Sequence, residues 1–448
     1  MRRCFGFLAL AFPLFALASE TRSESWAQFR GHRCSVADGA ALPTKWSENE
    51  HIAWKVALPG VGWSQPIVVG EKVFVTSAEA SDQAKPDPKN RGPGAGASFF
   101  GFGSAEPPKT IHRWKVACLN LNSGEAIWEK IASEGRPTIP IHANNSYATE
   151  TPVTDGEHVV AYFGMTGVFC YDLAGNLLWK KELGSYPMQF GWGTGSSPAL
   201  ADGRVFIQCD NDKQSFIAAL DIKTGDELWR VKREELSNWS TPLVWKNKTR
   251  TEVVTAGGGK MRSYDPQTGD LLWEMRASGR SAMSPTAGQE LLYVDSADRL
   301  MGRTGIFAAV LPTGSGDISL KGTEKANSSV PWSIQLSGYR VASPLLYQDC
   351  LYVLEQQSGI LRCMDATTGK EHYKQRVPDT SGFTASPWAA DGKIYCLDQG
   401  GTTVVLQAGP KFNVLASNKL DGMFWASPAV AGDRLLLRSV EHLYCIKQ

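Results

Sequence analysis

The sequence has almost no charge bias, with 46 basic and 45 acidic residues in 448. A basic stripe that tracks phosphates is therefore absent, and nucleic acid is not an expected partner. Beyond Leu17 no stretch approaches the roughly 18 apolar residues of a spanning helix. No two cysteines are adjacent, and there is no Cys-x-x-Cys or haem-attachment Cys-x-x-Cys-His. No Ser-His-Asp order or His-x-x-x-His pair stands out. The Gly-rich run 94–103 has no helix and no Gly-Lys-Ser/Thr after it, so it does not read as a phosphate loop. No segment carries a convincing helical period.

The opening has its own character. Arg2 and Arg3 precede the apolar run Phe5–Leu17, and Ala16-Leu17-Ala18 is a small-residue cleavage site. Residues 1–18 are thus predicted to be a signal peptide, with a mature chain from Ser19. No cysteine follows the run, so an exported periplasmic or cell-envelope protein without a lipid anchor is expected. Eight cysteines remain in that chain. Cys118, Cys170 and Cys363 stand two residues before a turn Asp or Asn, and Cys445 holds the matching place at the end. Equivalent places in different repeats lie too far apart to bridge, so these four read as small buried strand residues. For Cys34, Cys209, Cys350 and Cys396 the pattern leaves one bridge open.

Turn signals repeat along the whole chain. Asp221-Ile-Lys-Thr-Gly-Asp-Glu-Leu-Trp229 has close relatives ending at Trp128, Trp179, Trp273 and Tyr373. The Asp or Asn side chain can cap a tight turn, Gly supplies its positive φ, and the Trp lies four residues past the Gly on the next strand. A large flat ring at one fixed place per repeat suits packing between neighbouring sheets. A second signal has the same rhythm. A Pro preceded by Ser or Thr opens an apolar run at Pro66, Pro152, Pro198, Pro242, Pro285, Pro344, Pro387 and Pro428, with steps of 86, 46, 44, 43, 59, 43 and 41. A period of roughly 40 to 45 residues with several short strands per repeat marks a β-propeller. Eight prolines give eight four-stranded antiparallel blades in one all-β domain, residues 19–448.

The ends complement each other. His51–Leu58 is a Trp-bearing strand with no blade before it, and the C-terminus supplies only three strands. The lone strand is predicted to complete the eighth blade and close the ring, which hides open edges. The first blade carries most of the extra length, with 78–113 read as a flexible surface insertion. Blade five is irregular, with a turn at Pro312–Asp317 and its aromatic delayed to Trp332. Blade seven lacks the turn and the aromatic, which predicts the weakest packing between sheets. Asp210-Asn-Asp-Lys213 reads as a solvated turn.

The Asp-x-x-Thr-Gly…Trp turn, the Ser-Pro opener and the ~43-residue period resemble the pyrroloquinoline-quinone (PQQ) repeat superfamily of eight-bladed propellers. Trp26–Gly31, Gly60-Val-Gly-Trp-Ser64, Gly314–Asp317 and Leu443–Ile446 are similar to stand-alone exported members of it. The superfamily contains quinoprotein dehydrogenases and the non-catalytic BamB lipoprotein of outer-membrane barrel assembly. For a dehydrogenase the resemblance implies PQQ between a Trp and a disulfide of adjacent cysteines, calcium held by Glu, Asn and Asp, and an Asp base. The adjacent cysteines are missing, and no acidic cluster has a calcium-loop spacing. No cofactor, metal or catalytic residue is therefore assigned. The expected function is binding or scaffolding by a monomer, with PQQ- and calcium-dependent oxidation of alcohols or sugars as the alternative.

The residue three before each opening Pro should sit near one mouth of the axial channel. Trp63, Trp239 and Trp425 stand there, with Trp192, Tyr339, Arg340 and Phe383 close by. These make a candidate binding mouth (Trp63, Trp192, Trp239, Arg340, Trp425) for a protein, a peptide strand, a sugar or a planar ligand. His142, Asn144 and Asn145 form a polar group on a linker, where a lone His without a carboxylate reads as structural.

Overall fold

A computed structural model describes residues 25–81, 106–142, 144–276, 282–296, 305–336, 338, 340–356 and 358–448. The signal segment, most of the 78–113 insertion and Tyr339 lie outside the described residues.

Eight antiparallel sheets follow one another along the chain. Blade two is typical: Val153–Thr154, His158–Phe163, Gly167–Asp172 and Leu177–Lys181 form a simple meander. The inner three strands are buried almost throughout, while the outermost alternates between exposed and half-buried residues. That gradient is what stacked sheets around an axis produce, since only the rim meets water. Among the described residues the single helical element is the 3-10 turn Gln189–Gly191.

The ring closes as the sequence predicts. Ile52–Ala57 pairs antiparallel with His442–Lys447, bringing Trp54 opposite Cys445, and becomes the fourth strand of blade eight. Blade four gains a fifth strand: Gly316–Asp317, from the irregular blade-five connection, lies parallel against Trp273 and Glu274. The residues read as a turn thus cover a sheet edge.

In five blades the repeated tryptophan joins its blade to the next, while Trp273 of blade four donates to Glu252 of its own blade. The indole N–H of Trp54, Trp128, Trp179, Trp229 and Trp332 donates to the carbonyl of Leu121, Leu173, Ile222, Pro266 and Ala366, at 2.8 to 3.1 Å. Each acceptor follows the turn Asp or Asn of the next blade. The ring lies on that turn's glycine so closely that a Cβ at Gly225 would sit 2.6 Å from Trp179. Gly225 therefore serves twice, through its φ of +75° and through its missing side chain. The Asp221 carboxylate caps the turn from Lys223 and Thr224 N–H groups, at 2.8 and 3.0 Å.

Blade seven makes up its missing repeat aromatic from elsewhere: Trp46 of the N-terminal segment stacks on Tyr395 at 6.4 Å, in one apolar cluster with Leu436 and Tyr444 of blade eight. One expectation needs correction: Asp210-Asn-Asp-Lys213 is solvated only in part, since Asp212 and Lys213 are exposed but Asp210 is buried in a two-point ion pair with Arg233. All eight described cysteines are free thiols, so none of the four left open is bridged.

Candidate functional site

The Ser/Thr-Pro openers meet at the axis. The backbone N–H of each donates to the side-chain oxygen of the next: Gln65 to Thr151, Thr151 to Ser197, Ser197 to Thr241, Thr241 to Ser284, Ser284 to Ser343, Ser343 to Ser386 and Ser386 to Ser427, all at 2.9 to 3.1 Å. The ring closes through Gln65, whose amide donates to the Pro428 carbonyl. This belt explains the opener motif. Serine or threonine provides an acceptor one blade back, and the following proline has no N–H that would need a partner.

Above the belt lies a cavity of about 220 Å³. Thr151, Ser197, Thr241, Ser284, Ser386 and Ser427 face it from the belt. Four tryptophans form its walls in two pairs. Trp63 stacks on Trp425 at 5.4 Å, and Trp192 lies 5.5 Å from Trp239. Backbone acceptors fix two of them: Trp63 donates to Asn144 O at 3.1 Å and Trp239 to Gly193 O at 2.7 Å. Asn145 braces the Trp192 loop, donating to Trp192 O and Thr194 O at 2.7 and 3.1 Å. Gly193, with φ +75°, keeps that loop against Ile141, whose methyl carbon a Cβ would approach to 2.6 Å.

The floor comes from the N-terminal segment. Trp26, Ala27 and Gln28 accept hydrogen bonds from Val68, Thr154 and Leu200, on the inner strands of blades one, two and three. Arg30 then donates to Pro285 O and Thr286 Oγ1 of blade five at 2.9 and 2.6 Å. Ser35 and Ala37 pair with Ala389 of blade seven. This plug places Phe29 in the cavity wall and makes the channel a blind cup.

The sequence places four of its five mouth residues, Trp63, Trp192, Trp239 and Trp425, in this lining. Arg340 is a correction: it is 2% exposed, pairs with Asp295 through Nη2 at 2.9 Å and does not line the cup. A guanidinium with a carboxylate 45 residues upstream is better satisfied between strands than in an apolar mouth. Phe383 is likewise buried away from it. His142, Asn144 and Asn145 do reach the rim. The His142 Nδ1 accepts the Asn144 N–H at 3.1 Å, which puts the ring proton on Nε2, and burial holds its pKa below the ordinary value. The ring is neutral at pH 7. What sequence reasoning missed is the plug and the belt, although Trp26–Gly31 and the openers were the segments that build them.

Among the described residues no charged side chain lines the cup. It offers aromatic side chains, hydroxyls, two asparagines and a neutral imidazole. The described residues do not fit a quinone–calcium site: no carboxylate among them faces the cavity, adjacent cysteines are missing, and the Asn145 side-chain oxygen is occupied by Ser146 and Thr149. Among the described residues no three His, Cys, Asp or Glu gather to hold a metal.

A PQQ-repeat family model described as outer membrane protein assembly factor BamB matches residues 112–249 and 213–310. The chain is an eight-bladed β-propeller, and residues 112–310 of it match the PQQ-repeat model. Outer membrane protein assembly factor BamB of Shewanella oneidensis is 25% identical over 296 residues, 65% of this propeller and 66% of that protein. The matched part spans about half the length of the other curated BamB relatives. The crystal structure of BamB from Moraxella catarrhalis superposes with a TM-score of 0.60 at 15% identity, covering 89% of this propeller and 97% of that chain. Quinohemoprotein alcohol dehydrogenase from Comamonas testosteroni gives 0.58 at 11% identity, covering 96% and 81%. At these identities the two structures share the fold with it.

Proposed function

We propose that this PQQ-repeat propeller is a non-catalytic binding and scaffold protein of the cell envelope, exported to the periplasm, and that it serves outer-membrane protein assembly as its BamB relatives are named for doing. The observation that carries this reading is the chemistry of the cup. Its walls are aromatic; among the described residues no charged side chain lines it, and the titratable group there is His142, a neutral imidazole whose Nδ1 already accepts the Asn144 N–H. Such a surface recognises a partner and leaves it unchanged. The curated relatives support the same direction.

The test is capture from an envelope extract by the wild-type chain and by the variant with Trp63, Trp239 and Trp425 all changed to Ala, folding being checked by circular dichroism. Enrichment of outer-membrane assembly proteins by the wild type alone is expected. Equal recovery by both would overturn the reading.

The second reading, a PQQ- and calcium-dependent dehydrogenase, draws on the quinohemoprotein neighbour, whose fold covers almost the whole chain. The uncharged lining speaks against it. Titration with PQQ and Ca²⁺, followed by quinone absorbance and dye reduction with alcohols or sugars, decides between the two.

A further inference from the structure

We infer that the cup takes a neutral sugar ring, free or at the end of a glycan. The inference rests on the cup being a binding site and names its ligand. Three observations on the lining lead there.

The first is the belt. The oxygens of Thr151, Ser197, Thr241, Ser284, Ser386 and Ser427 each accept a backbone N–H, yet no acceptor among the described residues takes their own protons. With one lone pair committed, each hydroxyl presents an O–H to the cavity. The lining also holds a buried acceptor. Gln356 is 4% exposed, and its side-chain oxygen has no donor among the described residues. A ligand with many oxygens that both donate and accept satisfies this set, whereas a hydrocarbon ring would leave it unpaired.

The second is the pair of aromatic walls. Trp63–Trp425 and Trp192–Trp239 present flat faces above a polar floor. A pyranose has an apolar face of C–H bonds and an edge of hydroxyls, so it can meet both at once. A volume of about 220 Å³ is below the roughly 300–1,000 Å³ of pockets for drug-sized molecules, and it suits one ring.

The third weighs against the rivals. Among the described residues none that is charged lines the cup, so an anionic or cationic ligand would lose its hydration without a counter-charge from them. A peptide strand binds by adding to free backbone N–H and C=O groups. Here each opener N–H is taken by the neighbouring blade, and the next residue is a proline. The wall has no N–H groups left at the belt to extend a sheet.

The experiment uses the full chain and follows tryptophan fluorescence and ligand-observed NMR. The probes are methyl glucoside, methyl galactoside, N-acetylglucosamine and its trisaccharide, with glucuronate as the charged control. At least one neutral sugar should bind saturably in the millimolar range. Trp192→Ala should weaken it about tenfold, the worth of one aromatic stack. Glucuronate should bind at least about tenfold more weakly than glucoside. Tighter binding of the trisaccharide than of the single ring assigns a glycan end; equal binding assigns a free sugar. Absence of saturation with every neutral sugar, or equal binding of glucuronate, overturns the inference. So does an unchanged affinity in Trp192→Ala. Because envelope capture is measured separately, loss of sugar binding with capture intact sinks only this inference, and the converse sinks only the scaffold reading.

Discussion

Glu150 provides a quantitative test of how dry the axis is. It directly precedes Thr151 in the belt and is 1% exposed. Burial pushes its carboxyl pKa from 4.5 up to about 7, and hydrogen bonds from Thr194 and from backbone N–H groups offset only part of that rise. The folded state therefore holds the proton more tightly than the unfolded chain, and folding takes up a proton between pH 4.5 and about 7. Stability falls as pH rises through that window. Below 4.5 both states are protonated and nothing is lost; above 7 the whole penalty is present. A rise from 4.5 to about 7 corresponds to about 3 kcal/mol at 1.36 kcal/mol per pH unit. Glu150→Gln keeps the shape and removes the charge. Urea denaturation of both proteins at pH 4 and pH 8 separates the proton effect from any constant cost of the amide. The variant should gain about 3 kcal/mol relative to wild type on going from the low to the high pH. A stability difference that is the same at both pH values would mean that Glu150 is not held protonated, and the picture of a dry, uncharged axis would fall with it.

Three further outcomes follow from the packing. Gly225→Ala forces a Cβ to 2.6 Å from Trp179, while Gly203→Ala has the same φ of +75° and nothing within 4 Å. Urea midpoints should show about 1 to 2 kcal/mol lost at Gly203 from backbone strain and about 1 to 3 kcal/mol more at Gly225; equal losses would refute the stacking role. Ser284→Ala removes the acceptor of the Thr241 N–H and should cost about 1 to 3 kcal/mol in the same assay, whereas a neutral result would deny the belt any structural weight. Deleting Trp26–Ser47 should open the floor yet leave a monomer on size exclusion, because the closing strand remains. Deleting as far as Ala57 should bare the edge of His442–Lys447 and give aggregates, and identical behaviour of the two would show that the strand does not seal the ring.

The architecture was legible because it is repetitive. A glycine under an indole and a hydroxyl before a proline each solve the same contact in successive blades, so the period of the sequence is the period of the packing. The mouth was readable for a related reason. Counting back three residues from an opening proline fixes a height above the belt, and Trp63, Trp239 and Trp425 all stand at it. What was not legible is what occurs once. Trp46 reaches blade seven from the N-terminal segment, and the plug pairs Ala37 with a residue 352 positions away, by contacts that no repeat announces. Arg340 stands near the expected height, but its direction is set by Asp295 on another strand. A rule of spacing gives a residue's level and not which way it faces.

The seam between the last blade and the first shows why the axis can stay uncharged. Every other pair of neighbouring openers is joined by the belt, but blade one carries Gln65 where the others have a hydroxyl. The seam compensates with side chains of longer reach. Gln65 spans to Pro428, and Trp54 lies on Gly124. Arg438 of blade eight donates to the Ser64 carbonyl and hydroxyl and to the Thr76 carbonyl of blade one. That guanidinium is 1% exposed and has no carboxylate partner among the described residues, and burial pulls its pKa down to about 9. Gly62 makes room for it, since a Cβ there would collide with Nη2. The charge is thus spent on backbone oxygens behind Ser64, and it does not line the cup. Arg233 with Asp210 and Arg340 with Asp295 are each paired within one blade, where its strands end. Arg233 also reaches Thr255 and Tyr264 of blade four, and the centre is left to hydroxyls and indoles. A ring built this way can hold an uncharged ligand at its axis without any of its ionic contacts having to break.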